Sequence, residues 1–224
     1  MNVLAIDTSS SMLGLGLQTK EHYFEINQDI GLHHTENLLK AVHILLDRSQ
    51  LTTDQLDLVV VARGPGSFTG LRIGMSTAKG LSFGAGIPVV SVPTLDMYAY
   101  GHRVYPDWVL PVMDARKNRV YAAFYKDGNM RGAILDITPE ALLHKFEEYN
   151  KILLTGPYAG QLHELLVQSD SSTNNCIVDP LYASPKTFSL LQRGRETFEQ
   201  NGGDDKNLGP LYIRPSEAEL SNGR

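Results

Sequence analysis

The stretch Val3-Leu4-Ala5-Ile6-Asp7-Thr8-Ser9-Ser10-Ser11, followed by Leu13, Leu15 and Leu17 in alternation with Gly14 and Gly16, decides the fold. Apolar residues ending in an acid read as a buried strand, and the period of two beyond the polar turn reads as a second. His22–Ile26 supplies a third, giving a meander. The same opening returns later: Val109–Met113 runs into Asp114, a turn follows, and Val120–Tyr125 resumes as a strand. In both places the next strand resumes six residues beyond the acid, at Leu13 and at Val120. Two copies of strand–acid–turn–strand suit an internal duplication; two ordinary tight hairpins are the plainer alternative.

Working outward, Leu38, Leu39, Val42, Leu45 and Leu46 recur at helical spacing, predicting a helix from His34 or Thr35 to about Ser49. Leu58–Ala62 is continuously apolar, as in a strand buried on both faces. A glycine-rich loop from Arg63 to Gly70 then opens a helix from about Leu71 to Phe83, and Ile87–Val92 is another strand. The first hundred residues thus read β-β-β-α-β-α-β. Beyond the second hairpin, Asp127-Gly128-Asn129 marks a turn, and Leu142, Leu143, Phe146 and Tyr149 sketch a helix. Ile152–Thr155 is a strand ending at Gly156-Pro157, and Phe188–Phe198 is a helix. The expected organisation is a subdomain over 1–103, completed by a helix near 186–200, and a second over 104–185. A polar loop and tail over 201–224 follow, with the tail from Ser216 to Arg224 expected to be mobile.

The chain of 224 residues is 42% apolar and 20% charged, a globular composition long enough for a substantial core. Its net charge of -5 argues against gripping nucleic acid by bulk electrostatics. The single cysteine, Cys176, excludes an internal disulfide and a multi-thiolate zinc site, and reads as an inert thiol. The opening residues lack a basic segment and reach an acid early, so they read as a strand, not a signal peptide. No apolar run approaches the length of a membrane span. The expectation is a soluble cytoplasmic protein.

Metal binding on the first helix needs a second histidine one turn beyond His33 or His34, but those positions hold Asn37 and Leu38. No metal site is expected. Gly64-Pro65-Gly66-Ser67 lacks the glycine spacing of a nucleophile elbow. The glycine-rich loop Arg63-Gly-Pro-Gly-Ser-Phe-Thr-Gly-Leu-Arg-Ile-Gly74 follows a strand and opens a helix, where backbone N–H groups can face an anion. It lacks the Gly-Lys-Ser/Thr of a P-loop. Gly66, Gly70, Gly74, Ala78, Ser82 and Gly86 recur at every fourth position, a stripe that admits close approach of another element. Gly74 and Gly80 each cost roughly 1 kcal/mol against alanine in a helix, offset by tight packing either inside the domain or against a partner. Asp7 at its strand end, with the hydroxyls of Thr8 to Ser11, has the makings of a phosphate turn. No glycine lies between Asp7 and Ser11 to let a phosphate approach, and the same groups can simply satisfy the turn itself. Arg116-Lys117-Asn118-Arg119 reads as a solvated basic hairpin tip.

Taken together, Ala5-Ile6-Asp7-Thr8-Ser9, His34-Thr35-Glu36-Asn37-Leu38-Leu39, Gly64 to Gly74, Met113-Asp114-Ala115-Arg116 and Pro210-Leu211-Tyr212-Ile213-Arg214-Pro215 closely resemble the TsaB (YeaZ) family. The resemblance spans nearly the whole chain, in the family's order. It implies an α/β ASKHA fold of the actin, Hsp70 and hexokinase type: two RNase H-like subdomains with mixed sheets flanked by helices. It further implies a part in forming threonylcarbamoyladenosine on the adenosine beside the anticodon of tRNAs that read codons beginning with A. In that system TsaB is the non-catalytic partner of the transferase TsaD, and the ATPase TsaE completes the complex. TsaD-type subunits carry His-x-x-x-His on the corresponding helix; Asn37 and Leu38 stand at those positions here, so a pseudo-enzyme is expected. The rival reading is an ASKHA-type ATPase or small-molecule kinase with its own turnover, its nucleotide turns marked by Asp7, Asp114 and Gly156. A peptidase lacks both ligands and a nucleophile.

The resemblance carries further expectations. Asp7, Thr8, Ser9, Asp114 and Gly156 are candidates for a degenerate nucleotide site, with no cofactor tightly bound and ATP or ADP held, if anywhere, at the TsaD interface. The partner face is placed on the first two helices, at His34, Leu38, Leu39 and Val42 on one and Leu71, Gly74, Met75 and Ala78 on the other. Ala41 and Ile44 widen its apolar stripe. The same patch is expected to serve a homodimer when the chain is alone. tRNA is expected to be met indirectly, through the complex.

Overall fold

The computed structural model describes residues 1–31, 33–168 and 176–214. The chain divides into two compact units: 1–94 together with the segment from Leu190 onward, and Leu95–Ser189. Pro215 and the tail from Ser216 lie outside the described residues.

In the first unit, β1 (Val3–Asp7), β2 (Met12–Gln18) and β3 (Tyr23–Asp29) form an antiparallel meander. Next come α1 (His34–Ser49), β4 (Leu58–Gly64), α2 (Phe68–Ala85) and β5 (Val89–Pro93). The sheet runs β3-β2-β1-β4-β5, with β4 parallel to β1 and β5 parallel to β4. Alternation aims Leu4, Ile6, Leu13, Leu15, Leu17, Val59 and Val61 at one face, where they meet Leu38, Val42 and Leu45 of α1 and Met75 and Ala78 of α2. The second helix begins at Phe68, three residues ahead of the apolar pattern, because the Ser67 hydroxyl accepts from the Gly70 amide (3.2 Å) and caps it.

The second unit repeats the plan. After α3 (Thr94–Tyr100) come β6 (Trp108–Asp114), β7 (Val120–Lys126), β8 (Asn129–Ile137), α4 (Pro139–His144), β9 (Ile152–Thr155), α5 (Ala159–Gln168) and β10 (Cys176–Val178). Its sheet order, β8-β7-β6-β9-β10, matches the first strand for strand, with an antiparallel meander followed by parallel strands. That match establishes the duplication for which the two acids were a hint. Periodicity does not announce α3, β8, α5 or β10. The helix sketched over Leu142–Tyr149 starts earlier, at Pro139 behind a Thr138 cap, and tightens to a 3-10 turn over Lys145–Glu148.

The final helix, α6 (Thr187–Asn201), belongs to the first unit from Leu190 onward. A Cβ on its Gly194 would collide with the Val60 side chain, so α6 covers the sheet face opposite α1 and α2. This double cover explains why β4 is apolar without alternation. Beyond α6 the chain is pinned along the same unit. The Asp204 amide donates to the Val89 carbonyl (2.8 Å), and its carboxylate accepts from the Ser91 amide (2.7 Å) and hydroxyl (2.5 Å). Farther on, the Leu211 amide donates to the Arg63 carbonyl (2.8 Å).

Candidate functional site

The turn after β1 is built by its own acid. Asp7 Oδ1 accepts from the Ser9 amide (2.9 Å), the local device that lets an aspartate end a strand and bend the chain. The amino end of α2 is laid over it. The Ser67 amide donates to the Ser9 carbonyl (2.7 Å), and Thr8 Oγ1 donates to the Gly70 carbonyl (2.8 Å). A Cβ at Gly66, Gly70 or Gly74 would collide with the Ser9 carbonyl oxygen, the Thr8 carbonyl oxygen and Thr8 Oγ1 respectively. The first half of the small-residue stripe therefore serves packing within the chain. Asp7, Thr8 and Ser9 are all buried beneath it.

From α1, the buried His34 reaches the same turn, its Nε2 2.8 Å from the Ser10 carbonyl oxygen. A carbonyl can only accept, so Nε2 carries the hydrogen and Nδ1 is left as the ring's other pole. Burial pushes the Asp7 carboxyl up, opposed by the adjacent Ser9 hydroxyl and amide and by His34. Asp7 Oδ2, Ser9 Oγ and His34 Nδ1 are buried with no hydrogen-bond partner among the described residues. The neighbouring His33 turns outward toward Glu36 (3.5 Å), and Asn37 Nδ2 donates back to the His33 carbonyl. The two histidines thus diverge. Thr8 Oγ1 and the Ser9 carbonyl are held by protein groups, and the acid of this turn is buried under α2.

In the second unit Asp114 repeats the bond, Oδ1 accepting from the Arg116 amide (2.7 Å), but stays open to solvent. Arg116, Lys117 and Asn118 follow with φ of 62°, 55° and 53°, three successive side-chain-bearing residues in the left-handed region. Arg116 Nη1 lies 3.3 Å from Asp114 Oδ2, and Arg119 pairs with Asp136 (2.6 Å). Gly156 has φ of +88°, and a Cβ there would stand 2.7 Å from the Val112 carbonyl oxygen, so tight packing of the β9 turn on β6 requires the glycine. Of the five nucleotide candidates, then, Asp7, Thr8 and Ser9 stand in the first unit and Asp114 and Gly156 in the second.

Sequence patterns gave no sign of a further polar cluster around Asp179. Its carboxylate meets Lys186 Nζ (2.9 Å), Thr155 Oγ1 (2.9 Å), His102 Nε2 (3.1 Å) and the Leu181 amide (2.9 Å). Burial pushes this carboxyl up, but the Lys186 ammonium, the Leu181 amide and the Thr155 hydroxyl prevail and hold it at about 2. Every oxygen is satisfied, so the cluster ties β9 and the turn after α3 to the chain after β10. On β10, burial pushes the Cys176 thiol up to about 12, which keeps it protonated and unreactive at neutral pH.

The residues expected to form a partner face require correction. His34, Leu38, Val42, Leu71, Gly74, Met75 and Ala78 are all buried in the unit's own core, Ala78 at 0% exposure, because these helices turn their apolar stripes onto the sheet. Only Leu39, at 60%, is exposed. Ala41 is also buried, whereas Ile44 is exposed. The outward side of α2 carries a different set: Ser76, Gly80, Phe83 and Gly84, with Phe83 at 90% exposure. A Cβ at Gly80 or Gly84 would meet nothing within 4 Å. The spacing of small residues was visible in the sequence; which of them face outward was not.

Two units of one topology, each opened by a strand–acid–turn–strand hairpin, define an ASKHA-type protein. A Bacteroides thetaiotaomicron protein described as having an actin-like ATPase fold and unknown function superposes with a TM-score of 0.52, at 14% identity over 85% of this chain and 95% of that one, a likeness of fold alone. The solved structure of YeaZ from Pseudomonas aeruginosa superposes with a TM-score of 0.79, at 25% identity, covering 95% of this chain and 99% of that one. Residues 28–189 match the family model TsaD: tRNA N6-adenosine threonylcarbamoyltransferase. The tRNA threonylcarbamoyladenosine biosynthesis protein TsaB of Bacillus subtilis is 30% identical over 98% of this chain and 96% of its own length. The chain belongs to the TsaB (YeaZ) family.

Proposed function

We propose that the chain serves the formation of threonylcarbamoyladenosine on tRNA as a non-catalytic subunit paired with a TsaD-like transferase. Family membership supports the pathway. The observation that supports the non-catalytic role is the covered first turn: Asp7, Thr8 and Ser9 are buried under the glycine-rich start of α2, which packs directly on the Thr8 and Ser9 backbone. Any nucleotide or TsaE dependence of the assembly then enters through the partner subunit. The partner face is the outward side of α1 and α2, centred on Leu39, Ile44 and Phe83, beside Gly80 and Gly84. Each of these glycines costs about 1 kcal/mol against alanine, and nothing among the described residues fills the space they leave. A partner helix approaching the backbone offsets that cost, and a second copy of the chain can use the same face when TsaD is absent.

The test is reconstitution from purified components with threonylcarbamoyl-adenylate as donor, scoring modified adenosine by mass spectrometry. The full set should modify tRNA, omission of this chain should abolish it, and the chain alone should give none. Modification by the lone chain would overturn the proposal. Leu39→Glu and Phe83→Glu should lose the TsaD complex on gel filtration at unchanged melting temperature; retention of the complex by both would move the interface elsewhere.

A further inference from the structure

Along the first unit, three cations are held by neutral groups on one short segment. Arg63 Nε donates to the Gly209 carbonyl (3.2 Å), Arg72 Nε to the Tyr212 hydroxyl (3.0 Å) and Lys79 Nζ to the Lys206 carbonyl (2.8 Å). No carboxylate among the described residues pairs with any of them. Of the two acids just before the segment, Asp204 turns to the protein and caps Ser91, while Asp205 is exposed and accepts from the Asn207 amide of its own loop (2.7 Å). In a chain of net charge -5, these three cations are left without a carboxylate partner among the described residues. The Arg72 guanidinium also lies 4.0 Å from the Phe68 ring centroid, and the Phe68 and Tyr212 rings lie 4.8 Å apart. Arg72 and Tyr212 are exposed. Seven residues, 206 to 212, span at most about 25 Å when extended, enough for several phosphates of one strand.

We propose that Arg63, Arg72 and Lys79, with the Phe68–Arg72–Tyr212 stack, form a contact surface for single-stranded or loop RNA. Uncompensated cations along a strip neutralise phosphates and release counterions. An exposed guanidinium over an aromatic ring offers a planar group on which an unpaired base stacks. An acidic protein segment would use the charges but leave the stack idle, which favours RNA. Arg72 and Lys79 share α2 with the outward residues Gly80 and Phe83, so the RNA strip borders the partner face proposed above. The choice of tRNA as probe rests on the function proposed above.

The experiment measures fluorescence anisotropy of an unmodified tRNA transcript that reads a codon beginning with A. The full-length chain is titrated alone and as its complex with TsaD, across a salt series. Arg72→Gln combined with Lys79→Gln should weaken tRNA binding about tenfold and lower the slope of log affinity against log salt by about 1.5. Arg72→Lys keeps the charge but loses the planar guanidinium; it should keep the slope and weaken binding about threefold. Gel filtration of the same samples reports complex formation, so loss of the complex counts against the pairing reading and not against this one. An intact complex whose tRNA affinity and slope are unchanged in the double variant overturns the inference. So does displacement of tRNA by polyglutamate more effectively than by polyuridine, which would assign the strip to an acidic protein.

Discussion

Asp7 and Asp114 occupy the same place in two copies of one fold, and each accepts a hydrogen bond from the amide two residues on. Their fates differ completely. Asp7 is fully buried under the glycine-rich start of α2, whereas the Asp114 side chain is 44% exposed at a hairpin tip. The acid and the local turn do not decide this; what is laid on top of them does. Gly66, Gly70 and Gly74 let a helix lie against the backbone of the first turn. The second turn is left to bend through three left-handed residues instead.

The strongest way to break this contrast is to remove the cover. Gly70→Val places side-chain atoms where the Thr8 carbonyl stands and should cost about 3 kcal/mol or more, read as a lower urea midpoint with an unchanged slope. Wild-type stability in that variant would mean α2 does not need its close approach. Two buried acids, Asp7 and Asp179, sharpen the comparison next, because their shifts have opposite signs. Asp179 is held low, so it contributes stability that is complete above the ordinary carboxylate range and lost as pH falls toward about 2. Asp179→Asn should therefore cost about 2 kcal/mol at pH 7, with the difference closing between about pH 4 and pH 2 in thermal melts.

Asp7 is pushed the other way. Its contribution is fully present below the ordinary carboxylate range and is lost as pH rises through its raised value. Asp7→Asn keeps the acceptor for the Ser9 amide and removes the buried charge, so it should gain about 1 kcal/mol at pH 8, an advantage that disappears below pH 4. A variant less stable than wild type at pH 8 would reverse this sign. The smallest effect is expected at the second turn. Asn118→Gly relieves one left-handed residue and should stabilise by about 0.5 kcal/mol, seen as a slight rise in melting temperature.

Much of this architecture was legible because burial writes itself into spacing. β1, β2, β4, β6, β7 and β9 announce themselves as apolar runs or alternations ending at acids and glycines. The elements that do not are ones whose burial is uneven or whose length is short. β8 is largely exposed along its first half, β10 has three residues, and α3 is buried nearly all round, leaving no polar face to set a period. At the candidate partner face the limit was different. Periodicity told which residues of α2 share a side, but Gly74 and Gly80 look alike in sequence. One lies against Thr8 and the other against open space. That difference depends on a turn more than sixty residues away. The Arg72–Tyr212 stack joins positions separated by 140 residues, and no local pattern could bring them together.

The first unit is assembled from both ends of the sequence, while the second, Leu95–Ser189, is one uninterrupted stretch. During synthesis the residues up to Thr94 emerge first yet lack α6 and the segment that pins β5, so they wait exposed until the ribosome has made everything between. The uninterrupted unit holds all its own contacts sooner after emerging and is free to fold before its elder neighbour is complete.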